Sequence, residues 1–107
     1  MNSRNKGKRG ELELAAYLRD HGFPEARRGQ QYNGADGSAD VIGGPEGIHI
    51  EVKRAEQVRI QAWMDQADRD RAPGETPVVF HRRNGEMWKA TLYASDFLKI
   101  LKKEEKG

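Results

Sequence analysis

The sequence predicts a mixed α/β fold, an α+β sandwich in which helices pack on a central sheet. Apolar residues recur with the helical period in three segments and alternate with polar residues in several others. An Asn-Gly pair at 84–85 is a strong signal for a hairpin between two of those strands. The predicted order is a helix, a strand meander, a helix, a two-stranded hairpin and a last helix.

The length and composition fit one small domain. The chain has 107 residues, of which 36% are hydrophobic and 34% charged, so we expect a modest core and a heavily charged surface. The absence of cysteine excludes a disulfide framework and a thiolate metal site, and it favours a reducing compartment. No apolar run approaches the ~20 residues of a membrane-spanning helix, and no secretory signal follows the basic N-terminus. We therefore expect a single domain over 1–107, located in the cytoplasm and without a membrane partner.

The positive charges are unevenly distributed, although the net charge is only +2. Residues 1–10 contain four basic side chains and no acid, and Arg27 and Arg28 form a second cluster. Such clusters fit contacts with phosphates, and a solvated terminus is the alternative interpretation. We expect residues 1–7 to form a flexible basic arm.

The first helix is predicted over residues 8–21, with Gly22 as a left-handed stop. Leu14 and Leu18 belong to its apolar stripe. Glu11 stands on the border of that stripe, where a carboxylate is unusual. Either it interacts favourably with the helix dipole, or it takes part in a site if this helix lies across the active face of the sheet.

Strands are predicted over 25–28, 39–43 and 47–56. The polar, glycine-rich loop over 29–38 is of a kind that often carries ligand contacts. The segment 44–47, "GPEG", is predicted to be a tight turn between the second and third strands.

The second helix is predicted over 57–71, and the hairpin strands over 77–83 and 86–93. Ser95 is the expected N-cap of the last helix, which follows directly as "DFLKILKKEE". That helix has more apolar positions than one narrow stripe needs. They would cover the sheet of the same chain or bury against a second copy.

The strand at 47–56 carries an unusual set of charges on one face. A period of two places Glu51 and Lys53 on the same side. If the preceding turn is symmetric, Asp40 lies directly across from Glu51, with Cβ atoms ~5 Å apart. Two carboxylates at that distance repel unless a cation lies between them. The candidates are a divalent metal ion and the ammonium group of Lys53.

Two hard oxygen ligands suit Mg²⁺ or Mn²⁺, and the lack of cysteine and of a histidine cluster argues against zinc. This set of groups fits phosphodiester hydrolysis, in which a cation activates water and stabilises charge on phosphorus. Lys53 would position or deprotonate the water, or neutralise the transition state. Glu11 would hold a metal-bound water or a second ion.

Asp40 followed by "EVK" at 51–53 resembles the pattern of the PD-(D/E)xK nuclease superfamily. "NKGKRGELELAAYLRDHGF" resembles the first helix of archaeal-type Holliday junction resolvases and their phage relatives, and "SADVIGG…IHIEVKRAE" resembles their catalytic hairpin. The similarity covers residues 5–56. Ala39 replaces the proline of the pattern, and the part after Lys53 looks more like small phage-encoded members of the superfamily.

The resemblance implies a restriction-endonuclease-like mixed sheet flanked by helices, in a bacterial or phage-infected cell. It implies a DNA endonuclease that uses Mg²⁺ or Mn²⁺, acts on branched or otherwise structured DNA, and is often a homodimer. The catalytic set that it implies is Glu11, Asp40, Glu51 and Lys53. The metal ligands would be Asp40, Glu51, the backbone carbonyl of Val52 and, through water, Glu11. The expected DNA contacts are Lys6, Lys8, Arg9, Arg27, Arg28, Gln31 and Arg54, and Gln61 is expected to support a phosphate or water near Lys53.

Two alternatives remain open from the sequence. One is a non-catalytic DNA-binding module with the same fold. The other is a nicking or restriction-like nuclease that acts on linear duplex.

Overall fold

The computed structural model describes residues 3–29 and 39–106, with side chains for 7–29 and 39–105. The mixed α/β class predicted from the sequence is confirmed. The elements are α1 (Ser3–Asp20), β1 (Arg27–Arg28), β2 (Val41–Ile42), β3 (Ile48–Arg54), α2 (Ile60–Asp70), β4 (Thr76–Arg82), β5 (Lys89–Thr91) and α3 (Ala94–Lys106). Within the described part of the chain, no helix is long and apolar enough to cross a membrane.

The five strands form one mixed sheet in the order β1-β2-β3-β4-β5. Strands β3 and β4 are parallel, and the other neighbours are antiparallel. Parallel neighbours need a crossover connection, and α2 provides it between β3 and β4.

Helix α1 covers the face of the sheet that carries Ile50 and Val52. Its buried stripe packs against both residues through Leu14, Ala15 and Leu18. Burying side chains of this size stabilises the fold by about 1.5–3 kcal/mol each. This cluster is the larger part of the core and fixes α1 against β3.

Helix α2 covers the opposite face. Its buried residues Trp63, Met64 and Ala67 pack with Val79 of β4. Glu51 pairs with Val79 in the β3–β4 register, and paired residues on adjacent strands share a face. Glu51 therefore lies on the α2 side, and α1 does not lie across the active face of the sheet.

The predicted register between the second and third strands is confirmed, since Val41 pairs with Ile50. Beyond this pair, the N–H of Asp40 donates to the carbonyl of Ile50 at 3.0 Å. Gly43 has φ +78°, and a Cβ there would lie 2.1 Å from the carbonyl oxygen of Glu25. Only glycine fits this position.

The first helix begins earlier than predicted. It starts at Ser3 rather than Lys8, so the predicted flexible arm is wrong for residues 3–7. No proline separates these residues from the rest of the helix. The glycine at position 7 lowers helix propensity by only ~1 kcal/mol, which the helix tolerates.

The β4–β5 hairpin is present, but its connection differs from the predicted two-residue loop. Asn84 and Gly85 lie in the turn, where Gly85 has φ +75°. The strands pair only as far as His81 and Lys89. Residues 83–88 lie between the two strands and form the connection. Within it, Glu86 forms an ion pair with Lys89, which favours a longer loop.

The last helix begins at Ala94, so Ser95 lies in its first turn and is not the N-cap. The carbonyl of Tyr93 accepts the N–H groups of Asp96 and Phe97, each at 3.0 Å. The difference of one or two residues is typical of helix termini.

Candidate active site

Asp40 and Glu51 are brought together where β2 begins beside β3. Glu51 is 1% exposed. Burial, followed by the charge of Glu51, raises the pKa of Asp40 to about 7, and a hydrogen bond between the two side chains also contributes to this increase. Because Val41 pairs with Ile50, Asp40 lies opposite Glu51, and the two side chains occupy the same side of the sheet.

The backbone of Val52 faces the same edge. Its N–H donates to Oδ2 of Asp40 at 2.8 Å. In an extended strand, the N–H and C=O of one residue point to the same edge. The carbonyl oxygen of Val52 is thus directed to the side where Asp40 lies.

Lys53 shares the Glu51 face and is held by α2. Its Nζ donates to Oε1 of Gln66 at 2.8 Å. Gln61, expected to support a phosphate or water near Lys53, is exposed and its amide donates to Asp65 at 3.0 Å, so that role stays a prediction. Five residues along a helix correspond to about 140° of net rotation, so only one of these two glutamines can face the sheet.

Glu11 lies within electrostatic reach of the site, although α1 packs on the other face. Burial raises the pKa of Glu11 against the opposing effect of Arg28, while Glu51 raises it further and Lys53 lowers it. Oε2 of Glu11 is 3.4 Å from Nε of Arg28 and makes no hydrogen bond within the described part of the chain. In this arrangement the partner of Glu11 is a guanidinium group.

His49 is a member of this site that the sequence did not reveal as one. It is fully buried, and its Nε2 lies 2.9 Å from Oε1 of Glu51. Burial lowers its pKa, but the hydrogen bond and charge of Glu51, with the charges of Glu75 and Asp40, together raise it. The available signal was the period of two, which places positions 49 and 51 on one face. A lone histidine on a strand is usually a satisfied core residue, so the pattern did not distinguish it.

The predicted DNA contacts fall into different environments. Lys8, Arg9 and Arg27 are exposed, whereas Arg28 pairs with Glu11. The side chain of Lys6 and all of Gln31 lie outside the described residues.

Arg54, expected to contact DNA, is bonded to other side chains of the protein, and its contact with DNA stays a prediction. Its guanidinium group bonds to the carboxylate of Glu13, with Nη1 2.7 Å from Oε2, and Nη2 donates to Asn84. Glu13 also pairs with Arg82 at 3.2 Å. Arg54 follows Val52 on the α1 face, so alternation turns it into this internal network and away from the site.

Comparisons of the chain with protein-family models, with curated proteins and with solved structures found no match. The chemistry of the site therefore rests on its residues and their geometry.

The site offers few ligands to a metal ion. Among the described residues, no group of three or more His, Cys, Asp or Glu side chains is arranged to hold one. Asp40 and Glu51 offer two adjacent carboxyl groups, and Val52 adds a carbonyl oxygen. Mg²⁺ is commonly bound through one or two carboxylates while it keeps several waters, so this oxygen-only set fits a hard divalent cation.

Proposed function

We propose that the protein is a divalent-metal-dependent endonuclease that hydrolyses DNA phosphodiester bonds, with a preference for branched DNA. The supporting observation is the pairing of the buried Glu51 with the half-buried Asp40, on the side of the sheet that also carries Lys53. Burial, followed by the charge of Glu51, raises the pKa of Asp40 to about 7. A bound cation would offset both the burial of the two carboxyl groups and the repulsion between them.

In this proposal, Asp40, Glu51 and the carbonyl of Val52 hold Mg²⁺ or Mn²⁺. Such an ion supplies Lewis-acid stabilisation of charge on the phosphate and lowers the pKa of water. The ammonium group of Lys53, held by Gln66, stabilises the negative charge of the transition state or orients the attacking water. In this proposal, Arg28 leaves Glu11 to bind a DNA phosphate, and the carboxylate of Glu11 then holds a metal-bound water.

The test is cleavage of a labelled four-way junction, a nicked duplex and a linear duplex with Mg²⁺ or Mn²⁺. Glu51→Gln should lower the rate at least about 100-fold, as loss of a group that stabilises developing charge does. Glu46→Gln is the matched control, since Glu46 is exposed in the turn of the same hairpin. Equal cleavage by the wild type and Glu51→Gln would refute the assignment. Equal rates on linear and branched DNA would refute only the preference for branches and favour a restriction-like nuclease.

A non-catalytic DNA-binding module is the second candidate. The ion pair between Glu11 and Arg28 favours it, since it occupies one of the four expected catalytic groups. This candidate requires DNA binding with a steep salt dependence and no metal-dependent cleavage.

We also propose that two copies act together. A branched junction presents two equivalent strands, and each chain offers one candidate site. Phe97, Leu98 and Leu101 on α3 are between 44% and 59% exposed. Phe97 also lines a groove of about 680 Å³, together with Val78 and Phe80 of the sheet. A second copy would cover this apolar face.

A further inference from the structure

The imidazole ring of His49 contacts the carboxyl group of Glu51 on the α2 side of the sheet. His49 stands two residues before Glu51 on β3, so both side chains occupy the same face of the sheet. The exposed fraction of His49 is zero, and its Nε2 lies 2.9 Å from Oε1 of Glu51. The pair is thus a short hydrogen-bonded contact in the interior of the protein.

The other side of the imidazole ring makes a weaker contact. Nδ1 is 3.8 Å from Oε1 of Glu75 and has no hydrogen-bond partner among the described residues. Glu75 is itself held in place, because its Oε1 accepts the N–H of Ala72 at 2.9 Å. The bond to Glu51 is therefore the principal polar contact that fixes the ring.

An aliphatic residue would be the simpler choice at position 49. A buried polar group destabilises the fold unless it is hydrogen-bonded, and an apolar residue of similar volume packs without that requirement. His49 has one good hydrogen bond, and that bond goes to a carboxyl group of the candidate active site. The presence of a histidine at position 49 is therefore better explained by its hydrogen bond to Glu51 than by its packing.

We propose that His49 is a positioning residue, whose Nε2–H holds Oε1 of Glu51 and so fixes the orientation of that carboxyl group beside Asp40. This inference rests on the proposed function, since the orientation matters for binding a divalent cation. The N–H of Val52 holds Oδ2 of Asp40 in the same way. Each carboxyl group thus has one oxygen bound by a fixed donor of β3.

The test measures Mn²⁺ affinity by titration calorimetry and by the electron paramagnetic resonance of unbound Mn²⁺. His49→Leu removes the donor and should weaken Mn²⁺ binding about 10–100-fold, the usual effect of losing such an orienting contact. His49→Gln keeps a side-chain N–H donor and should restore most of the affinity. Rescue by Gln but not Leu is not expected of a residue that only fills space.

His81→Leu is the matched control. His81 is also buried on the α2 side of the sheet, but its Nε2 bonds to Oγ1 of Thr91 at 2.8 Å rather than to a carboxylate. It should lower thermal stability to a similar extent and change Mn²⁺ affinity by less than about threefold. A decrease in affinity as large as that of His49→Leu would overturn the inference.

A second measurement does not depend on any variant folding. The ¹⁵N shifts and one-bond N–H couplings of the His49 ring in the wild type should show a proton on Nε2. A proton on Nδ1 alone would overturn the inference, since Nε2 then has nothing to donate. If the wild type binds Mn²⁺ and cleaves DNA but His49→Leu does so equally well, the inference fails and the proposed function stands. A wild type that neither binds Mn²⁺ nor cleaves overturns the proposed function itself, and the inference falls with it.

Discussion

At the residue scale, the central feature is an acid that is not fully ionised at neutral pH. Asp40 is largely buried next to Glu51, and both effects raise its pKa to about 7 from an ordinary value of 3.8. The hydrogen bond from Val52 opposes this shift but does not cancel it. The folded protein therefore holds a proton at this position that the unfolded chain releases well below neutrality.

Asp40 should make the folded state less stable as the pH rises. Because the folded pKa lies above the unfolded value, the favourable contribution is complete below about pH 4 and is lost as the pH rises through 7. In metal-free buffer, the free energy of unfolding of the wild type minus that of Asp40→Asn should fall by the order of 1–3 kcal/mol between pH 4 and pH 8. Urea denaturation at several pH values measures it. Asp20→Asn, an exposed residue of α1, should show no such trend, and a flat difference for Asp40→Asn would contradict the raised pKa.

Sequence patterns predicted part of the site at this scale. The register of Asp40 and Glu51 followed from a turn and a period of two, which are local rules. The hydrogen bonds of Lys53 with Gln66 and of Arg54 with Glu13 join residues 13 and 41 positions apart. Such contacts depend on how the helices pack on the sheet, and no local sequence pattern predicts them.

At the element scale, the close approach of α1 to β3 requires a small residue. A Cβ at Gly10 would lie 2.8 Å from Cγ and 3.3 Å from Cβ of Arg54, whereas a Cβ at Gly7 meets nothing within 4 Å. Both glycines belong to α1. The two glycines therefore differ in the atoms around them and not in their secondary structure.

The same substitution at the two glycines should have opposite effects. Gly7→Ala should raise the free energy of unfolding by up to about 1 kcal/mol through helix propensity. Gly10→Ala should lower it by about 1–3 kcal/mol, because Arg54 must move away from Glu13. Thermal and urea denaturation of both variants test this, and equal stabilisation by both would show that α1 does not pack closely on β3.

The exposed face of α3 should control association. Leu98→Asp should convert a dimer to a monomer in sedimentation experiments, because Leu98 is 59% exposed and a buried charge opposes the contact. Its melting temperature in the monomeric state should change little, since this side chain is largely solvent-accessible. Arg69→Asp, at an exposed position of α2, is the control. A wild type that sediments as a monomer at all concentrations would exclude the dimer.

Elements with a clear period were predicted well, and their ends were not. The stripe of α2 is predicted from Trp63, Met64 and Ala67, yet the helix begins at Ile60 rather than Gln57. For α1, the basic charge at the N-terminus suggested an arm, but the helix continues back to Ser3. Charge alone does not distinguish a solvated helix from a disordered arm.

At the scale of the whole molecule, basic side chains are divided between exposed positions and ion pairs within the protein. Lys8 and Arg9 are exposed on α1, whereas Arg54 and Arg82 pair with Glu13 inside the fold. A net charge of +2 therefore says little about how many side chains remain available to phosphates.

The salt dependence of DNA binding should separate these two groups. Lys8→Gln should reduce the slope of log K against log salt concentration by about one, whereas Arg54→Gln should leave the slope unchanged. Arg54→Gln should instead lower the melting temperature, because it removes the ion pair with Glu13. Fluorescence anisotropy at four salt concentrations measures the slopes. A reduced slope for Arg54→Gln would mean that this residue contacts DNA after all.

The raised pKa of Asp40 should also make the affinity and the heat of divalent-cation binding depend on pH. Below pH 7, most molecules carry an extra proton at the carboxyl pair, and a molecule that accepts a divalent cation there must expel it. The apparent association constant should therefore rise nearly tenfold per pH unit between about pH 5 and 6.5 and level off above 7. At pH 6, the heat of binding should differ between two buffers that do not bind the cation, in proportion to the difference between their ionisation enthalpies. The slope of that relation counts the protons released, and a value near zero would mean that the cation binds away from Asp40.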